Sequence, residues 1–461
     1  MTEFESNGNV NRMSERRENS ESLHIGDSRS SSGFEQTSIL EQLLRDIPIP
    51  KMARIRQRFS TDSLPDPIGA VRASTQSYLQ SAPMIRPGSS VAIAVGSRGI
   101  SHIADVTKAV IDELQSIGAS PFIVPCMGSH GGATAEGQAQ VLAHLGIEES
   151  TMGVAIRSSM EVVELDRLPN GLPVYADRIA ATEADAIVVI NRIKPHTAFR
   201  GPVESGLMKM IAIGLGKQKG AEACHQLGFR YMAQNVPEMA KRMMNKLPIA
   251  FGIAIVENAY DQIYEVELIT PEHMEARESE LLEKAKSLMP KILFDPIDVL
   301  VIDYIGKNIS GDGMDPNITG RYPTPYAHGG PDVAKMVVLD LTKESYGNAN
   351  GVGTADFTTQ QLVQKTDWPS TYANGLTSTV CAPTKMAMAL ENDRQAIQAA
   401  IKTCNILDYE QCRMVRIKDT LHLGEIWVSE ALLAEARSHG DIDVLEEASA
   451  IGFDESGHIT K

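Results

Sequence analysis

Three side chains able to do chemistry lie between Ile187 and His225, in a stretch that reads IVVINRIKPHTAFRGPVESGLMKMIAIGLGKQKGAEACH. His196 follows Pro195, Lys209 sits inside the apolar run GLMKMIAIGLG, and His225 comes after a small-residue turn. Lys209 is flanked by Leu207, Met208, Met210 and Ile211. A buried ammonium without a partner is costly, so such a lysine is paired, deprotonated or covalently used. Imidazole titrates near neutral pH and is a common metal ligand. Two of them flanking that lysine suggest a site more than a core.

The elements that must hold these residues alternate strand, Gly-rich turn and helix. Ser90 to Val95 ends in Gly96-Ser97-Arg98-Gly99, and a helix follows with Ile103, Val106, Val110, Leu114 and Ile117 at helical spacing. Phe122 to Val124 leads into Cys126-Met127-Gly128-Ser129-His130-Gly131-Gly132 and a helix over Thr134 to Leu145. With strands at Ala186 to Ile190 and Ile249 to Val256, this is how a parallel sheet is written. A hairpin signal at Asn170-Gly171 is assigned to the same sheet, and a half-exposed strand at Ala53, Ile55 and Phe59 to the same unit. Arg98, His130 and His196 then lie just beyond the carboxyl ends of three strands, the edge where open α/β sheets bind ligands. The loops at Arg98 and His130 each enter a helix, whose backbone N–H groups suit an anion. Neither loop has the dinucleotide or Walker spacing.

Each residue also has a plainer reading. His130 in GSHGG can satisfy a turn carbonyl, His196 can be a loop histidine fixed by Pro195, and Lys209 can snorkel from a helix. Arg98 and Arg200 can be surface charges, and His328 in AHGG reads as structural. Their joint placement on one edge favours the site.

The expected fold class is α/β: two α/β domains, a mainly parallel sheet in the first, and the active site in the cleft between them. Residues 1–36 read as a disordered N-terminal extension, polar and without a signal-peptide core. The N-terminal cofactor-binding and catalytic domain is expected over 37–292, beginning with the stripe Ile39, Leu40, Leu43, Leu44. A C-terminal α/β domain over 293–461 closes the cleft. The 461 residues, 43% hydrophobic and 22% charged, suit a soluble globular chain. A net charge of −16 argues against nucleic acid or an anionic membrane as partner. The five cysteines are scattered with no CxxC pair, fitting reduced thiols in a cytoplasmic protein.

GSHGG (Gly128 to Gly132), KPHTAF (Lys194 to Phe199), Lys209 and His225 together resemble the lactate racemase family that uses a nickel-pincer nucleotide. The order Arg, His, His, Lys, His matches, as do the intervals from Arg98 to His130 and from Lys209 to His225. The resemblance covers roughly Lys51 to Val256. It implies that Lys209 holds the cofactor covalently and that His225 completes a square-planar nickel site beside two sulfurs and a carbon. It implies His130 and His196 as acid/base residues, Arg98 on the substrate carboxylate, and Lys307 assisting from the second domain. Ser97 and Gly128 become candidates for cofactor contacts. Imidazole with soft sulfur donors suits square-planar nickel. Abstracting the α-proton of a 2-hydroxy acid would build a carbanion beside a carboxylate. Hydride transfer with a histidine holding the hydroxyl proton avoids this.

Two departures stand out. Familiar members carry Asp-His-Thr-Arg where this chain has Val95-Gly96-Ser97-Arg98, and Pro202-Val203-Glu204 reads as a three-residue insertion before the lysine. A hydroxy acid other than lactate is therefore expected. The expected activity is a 2-hydroxyacid racemase or epimerase, served transiently by cofactor-synthesis proteins. The alternatives are a binding homologue without catalysis, a Schiff-base lyase using Lys209, and a histidine-metal hydrolase.

Overall fold

The computed structural model describes residues 39–81, 84–97 and 99–460. The proposed extension over 1–36 and Arg98 lie outside the described residues. Fifteen strands are described, in chain order: β1 Met52–Gln57, β2 Ser90–Val95, β3 Ser120–Pro125, β4 Val162–Arg167, β5 Pro173–Asp177, β6 Ala186–Arg192, β7 Ile249–Glu257, β8 Ile263–Ile269, β9 Ile297–Ile305, β10 Val333–Leu341, β11 Phe357–Thr359, β12 Met388–Leu390, β13 Met414–Ile417, β14 Glu425–Ser429 and β15 Ile442–Val444.

The first sheet runs β3-β2-β6-β7-β8, parallel except for the antiparallel edge strand β8. Its inner strands are nearly continuous apolar runs because both faces are covered. One face of β2 offers Val91, Ile93 and Val95 to the helix Ile103–Ser116 through Val106, Val110 and Leu114. The other offers only Ala92 and Ala94, joined by Ile187 and Val189 of β6, and the Lys209-bearing segment packs there. Small residues on that face let the segment come close. Gly252 of β7 does the same: a Cβ there would lie 2.5 Å from Leu207 Cδ1.

The second sheet runs β12-β11-β10-β9-β13-β14-β1-β15, parallel from β12 to β13 and antiparallel beyond. The α/β class and the mainly parallel first sheet are as expected. Three details differ. Strand β1, assigned to the first unit, pairs with β14 and β15 in the second sheet, where Ala53 and Ile55 are fully buried. The hairpin at Asn170-Gly171 forms a separate ribbon, β4-β5, rather than joining the first sheet. In the helix Ile39–Leu44 only Leu44 is buried. No helix among the described residues is long and apolar enough to cross a membrane.

Candidate functional site

His196 lies on a loop that leaves β6 and is pinched shut at its base. Lys194 N–H donates to Ser205 O at 2.8 Å, and Ser205 N–H returns a bond to Lys194 O at 3.2 Å. Inside the loop the buried carboxylate of Glu204 accepts from His196 N–H at 2.7 Å and from Arg200 at 3.2 Å. Lys286 reaches the same carboxylate at 3.2 Å. Arg200 also donates to His196 O at 2.6 Å, Tyr322 Oη at 2.9 Å and His328 O at 3.0 Å. Arg200 is thus no surface charge: it bolts the His196 loop to the second unit. His328 contributes to that bolt through its carbonyl. Glu204, within the apparent insertion, was not singled out in the sequence; Pro-Val-Glu carries no local sign that its carboxylate turns inward.

Lys209 ends the short helix Leu207–Lys209, and a π-helical turn, Met210–Gly214, follows it directly. Such turns recur at functional sites. The start of the helix is capped by the fully buried Glu278, which accepts from Met208 N–H at 2.8 Å. A Cβ at Gly206 would lie 2.4 Å from Glu278 Oε1, so glycine is required for this approach. Burial pushes the Glu278 carboxyl up to about 7 against the two backbone donors that oppose it. Lys209 itself is only half-buried and lines a cleft. The fully buried lysine of the region is Lys217.

His225, at the end of the helix Lys217–His225, stands close to His196 across aromatic rings. The His196 ring is 4.5 Å from Phe199 and 6.1 Å from Phe229, and the His225 ring is 5.4 Å from Phe229 (centroid distances). Burial above all holds His196 well below the usual histidine range, with Lys209, His225, Lys194 and Arg200 acting the same way. Burial likewise lowers His225 to about 4, with Lys209 adding to it and a hydrogen bond to Ala221 opposing. Both rings are therefore neutral near pH 7, in opposite tautomers. His225 Nδ1 donates to Ala221 O at 2.7 Å, since a carbonyl only accepts, and its Nε2 lone pair is left for a metal. His196 Nδ1 accepts from Ala198 N–H at 3.0 Å, so its proton sits on Nε2.

The cleft encloses about 450 Å³ between the two units. Lys194, His196 and Lys209 line it from the first, and Asn308, Ser310 and Leu421 from the second. His130 is exposed on the loop beyond β3 and hydrogen-bonds through Nδ1 to Ser97 Oγ on the loop beyond β2. These two expected residues meet each other, yet neither they, Gly128 nor His225 line that cleft. Lys307 does not line it either, although its neighbour Asn308 does; the Lys307 ammonium donates to Gly311 O at 2.5 Å and Asn374 Oδ1 at 2.6 Å. Among the described residues no three His, Cys, Asp or Glu side chains cluster as a metal site. The donor set is that of a single imidazole, which fits a metal arriving with its own ligands and does not fit a protein-built cage.

Residues 46–236 match a family model described as the lactate racemase N-terminal domain. No curated protein matches the chain in sequence. Among solved structures, a protein from Thermotoga maritima is similar at 12% identity and TM-score 0.46, covering 80% of this chain and 93% of its own. The lactate racemase apoprotein from Thermoanaerobacterium thermosaccharolyticum is similar at 14% identity and TM-score 0.42, covering 80% of this chain and 89% of its own. Likeness at that level says nothing of function, and the fold above rests on this chain's own strands. It is residues 46–236, the part that contains His130, His196, Lys209 and His225, that are similar to the lactate racemase N-terminal domain.

Proposed function

We propose that the chain is a racemase or epimerase of 2-hydroxy acids that works with a nickel-pincer nucleotide. The observation that carries this reading is the grouping of His196, Lys209 and His225, with His225 held by Ala221 in the tautomer that leaves Nε2 as a ligand. Lys209 would hold the nucleotide covalently and His225 Nε2 would bind its nickel. When bound, the group would take hydride from C2 of the acid and give it back to either face. Forming the bond to Lys209 would consume its ammonium, and so remove one of the charges that hold His196 neutral.

His130 and His196 would manage the hydroxyl proton. In its resting tautomer His196 meets a substrate oxygen as a donor from Nε2. To receive a proton there it must first release the Ala198 N–H bond and carry its proton on Nδ1. His130, tied to Ser97, would handle the proton for the opposite face. Arg98 and Lys307 would hold the carboxylate, and Ser97 and Gly128 would approach the nucleotide. The aromatic wall of Phe199 and Phe229 would keep water from the reacting centre. The binding, Schiff-base and hydrolase alternatives have no observation in their favour beyond the half-buried Lys209.

The test is expression with cofactor-synthesis proteins and nickel, followed by intact mass and a chiral assay over a panel of 2-hydroxy acids. A mass increment with inversion of one acid is expected. Borohydride trapping of a substrate on Lys209 without nickel would replace this reading with the Schiff-base one.

A further inference from the structure

Lys217 is the buried ammonium that the reaction proposed above does not use. It is completely buried, as are Asp177 and Gln138 around it. Its backbone has φ +55°, a left-handed conformation unusual for a lysine. Lys217 opens the helix Lys217–His225, and from there Nζ reaches three acceptors. They are Asp177 Oδ2 at 2.9 Å, Pro125 O at 2.5 Å and Gln138 Oε1 at 3.3 Å. The ammonium donates hydrogen bonds to Pro125 O and Gln138 Oε1, and Asp177 Oδ2 completes the site as an ion-pair partner.

The bonds continue toward the histidine loop. The Gln138 amide Nε2 donates to Gly128 O at 2.9 Å and to His130 O at 3.2 Å. The carbonyls of Pro125, at the end of β3, and of Gly128 and His130, in the GSHGG loop, are thus all held by one buried side-chain pair. Asp177 is itself fixed: its Oδ1 accepts from Ala180 N–H at 2.8 Å, and its own N–H donates to Leu215 O at 2.6 Å. One end of the helix is therefore locked to the His130 loop while the other end carries His225.

We infer that Asp177, Lys217 and Gln138 are positioning residues that fix the His130 loop against the helix bearing His225. The effect on turnover rests on the function proposed above; the effect on His130 does not. A buried ion pair is weak evidence for stability, because well-packed apolar side chains often do as well. What apolar side chains cannot do is orient three loop carbonyls. The left-handed backbone at Lys217 is the kind of local strain that persists where surrounding structure demands a particular geometry.

The test replaces Gln138 with methionine, similar in length and suited to a helix, and follows isotope-labelled histidine rings by NMR, with His130→Gln assigning the His130 signal. In Gln138→Met the His130 ring shifts and its titration midpoint should move, while the signals of His225 and the remote His439 stay in place. In the loaded enzyme kcat should fall about 10- to 100-fold with KM little changed, as for a misplaced proton-transfer group. If Gln138→Met does not fold, the double variant Lys217→Met with Asp177→Asn, which keeps the Ala180 cap, gives the same readout. An unmoved His130 signal in a folded variant would overturn the inference. A moved signal in a protein whose wild type inverts no hydroxy acid would uphold the positioning role and reject the proposed function instead.

Discussion

Glu278 gives the sharpest quantitative prediction, because its buried carboxyl caps the helix that carries Lys209. Burial raises its pKa from 4.5 to about 7. A group whose folded pKa lies above its unfolded value adds stability that is complete below the unfolded value, here about 4.5, and is lost as pH rises through about 7. At 1.36 kcal/mol per unit the whole contribution is about 3 kcal/mol, and about 2.5 kcal/mol of it disappears between pH 5 and pH 8. Glu278→Gln removes the titration yet leaves an oxygen for the Met208 N–H. His196 and His225 titrate with the opposite sign, but they are common to both proteins and cancel in the comparison. The measurement is hydrogen exchange of the peptide spanning residues 205–216, corrected for intrinsic pH dependence. The ratio of variant to wild-type protection should rise by about 70-fold from pH 5 to pH 8. A ratio that stays flat across that interval would refute the assignment of a buried, neutral carboxyl at this cap.

Peptide mapping of the loaded protein should find the adduct on Lys209; an adduct on Lys217, which is sealed in its ion pair, is not expected, and finding it there would reverse the roles of the two lysines. His225→Ala should keep the organic adduct while losing most of the nickel, and unchanged metal stoichiometry would remove His225 as ligand. His130→Ala and His196→Ala should each lower inversion by about 10²- to 10⁴-fold with cofactor still bound. In the same assay an α-deuterium should survive inversion in ordinary water, and its washout would replace hydride transfer by proton abstraction. Glu204→Ala should destabilise the protein by about 1–3 kcal/mol, a partly exposed network being weaker than a sealed one; an unchanged thermal midpoint would show that Glu204 does not hold the His196 loop.

The first sheet was legible because each of its parallel strands is a short apolar run closed by a turn, a pattern contained within a dozen residues. The grouping of His196, Lys209 and His225 was legible for a similar reason, since all three follow one strand. What escaped lies in pairings between distant segments. Nothing local in Met52–Gln57 says that it will sit beside β14, because an alternating strand fits any half-covered sheet. Lys217 stands in Gly-Lys-Gln-Lys, which reads as a polar turn, and only Asp177, 40 residues earlier, reveals why it is buried. Glu278 belongs to a charged helix whose other acids face solvent. In each case the deciding partner lies far along the sequence.

The place of β1 also has a consequence in time. Met52 pairs with Ser429, so the strand made among the first cannot find its partner until the chain is nearly finished. At about 5–20 residues per second the ribosome needs about 20–75 s to cover that interval. During this delay the first sheet can complete itself from residues already made, while β1, with Ala53 and Ile55 uncovered, trails from it as an unpaired ribbon. The second sheet can be completed only once β14 and β15 are made and take β1 between them. A chain shortened to begin after Gln57 would keep every residue of the first sheet and leave the second with an open slot, where another molecule's strand would be the natural filler.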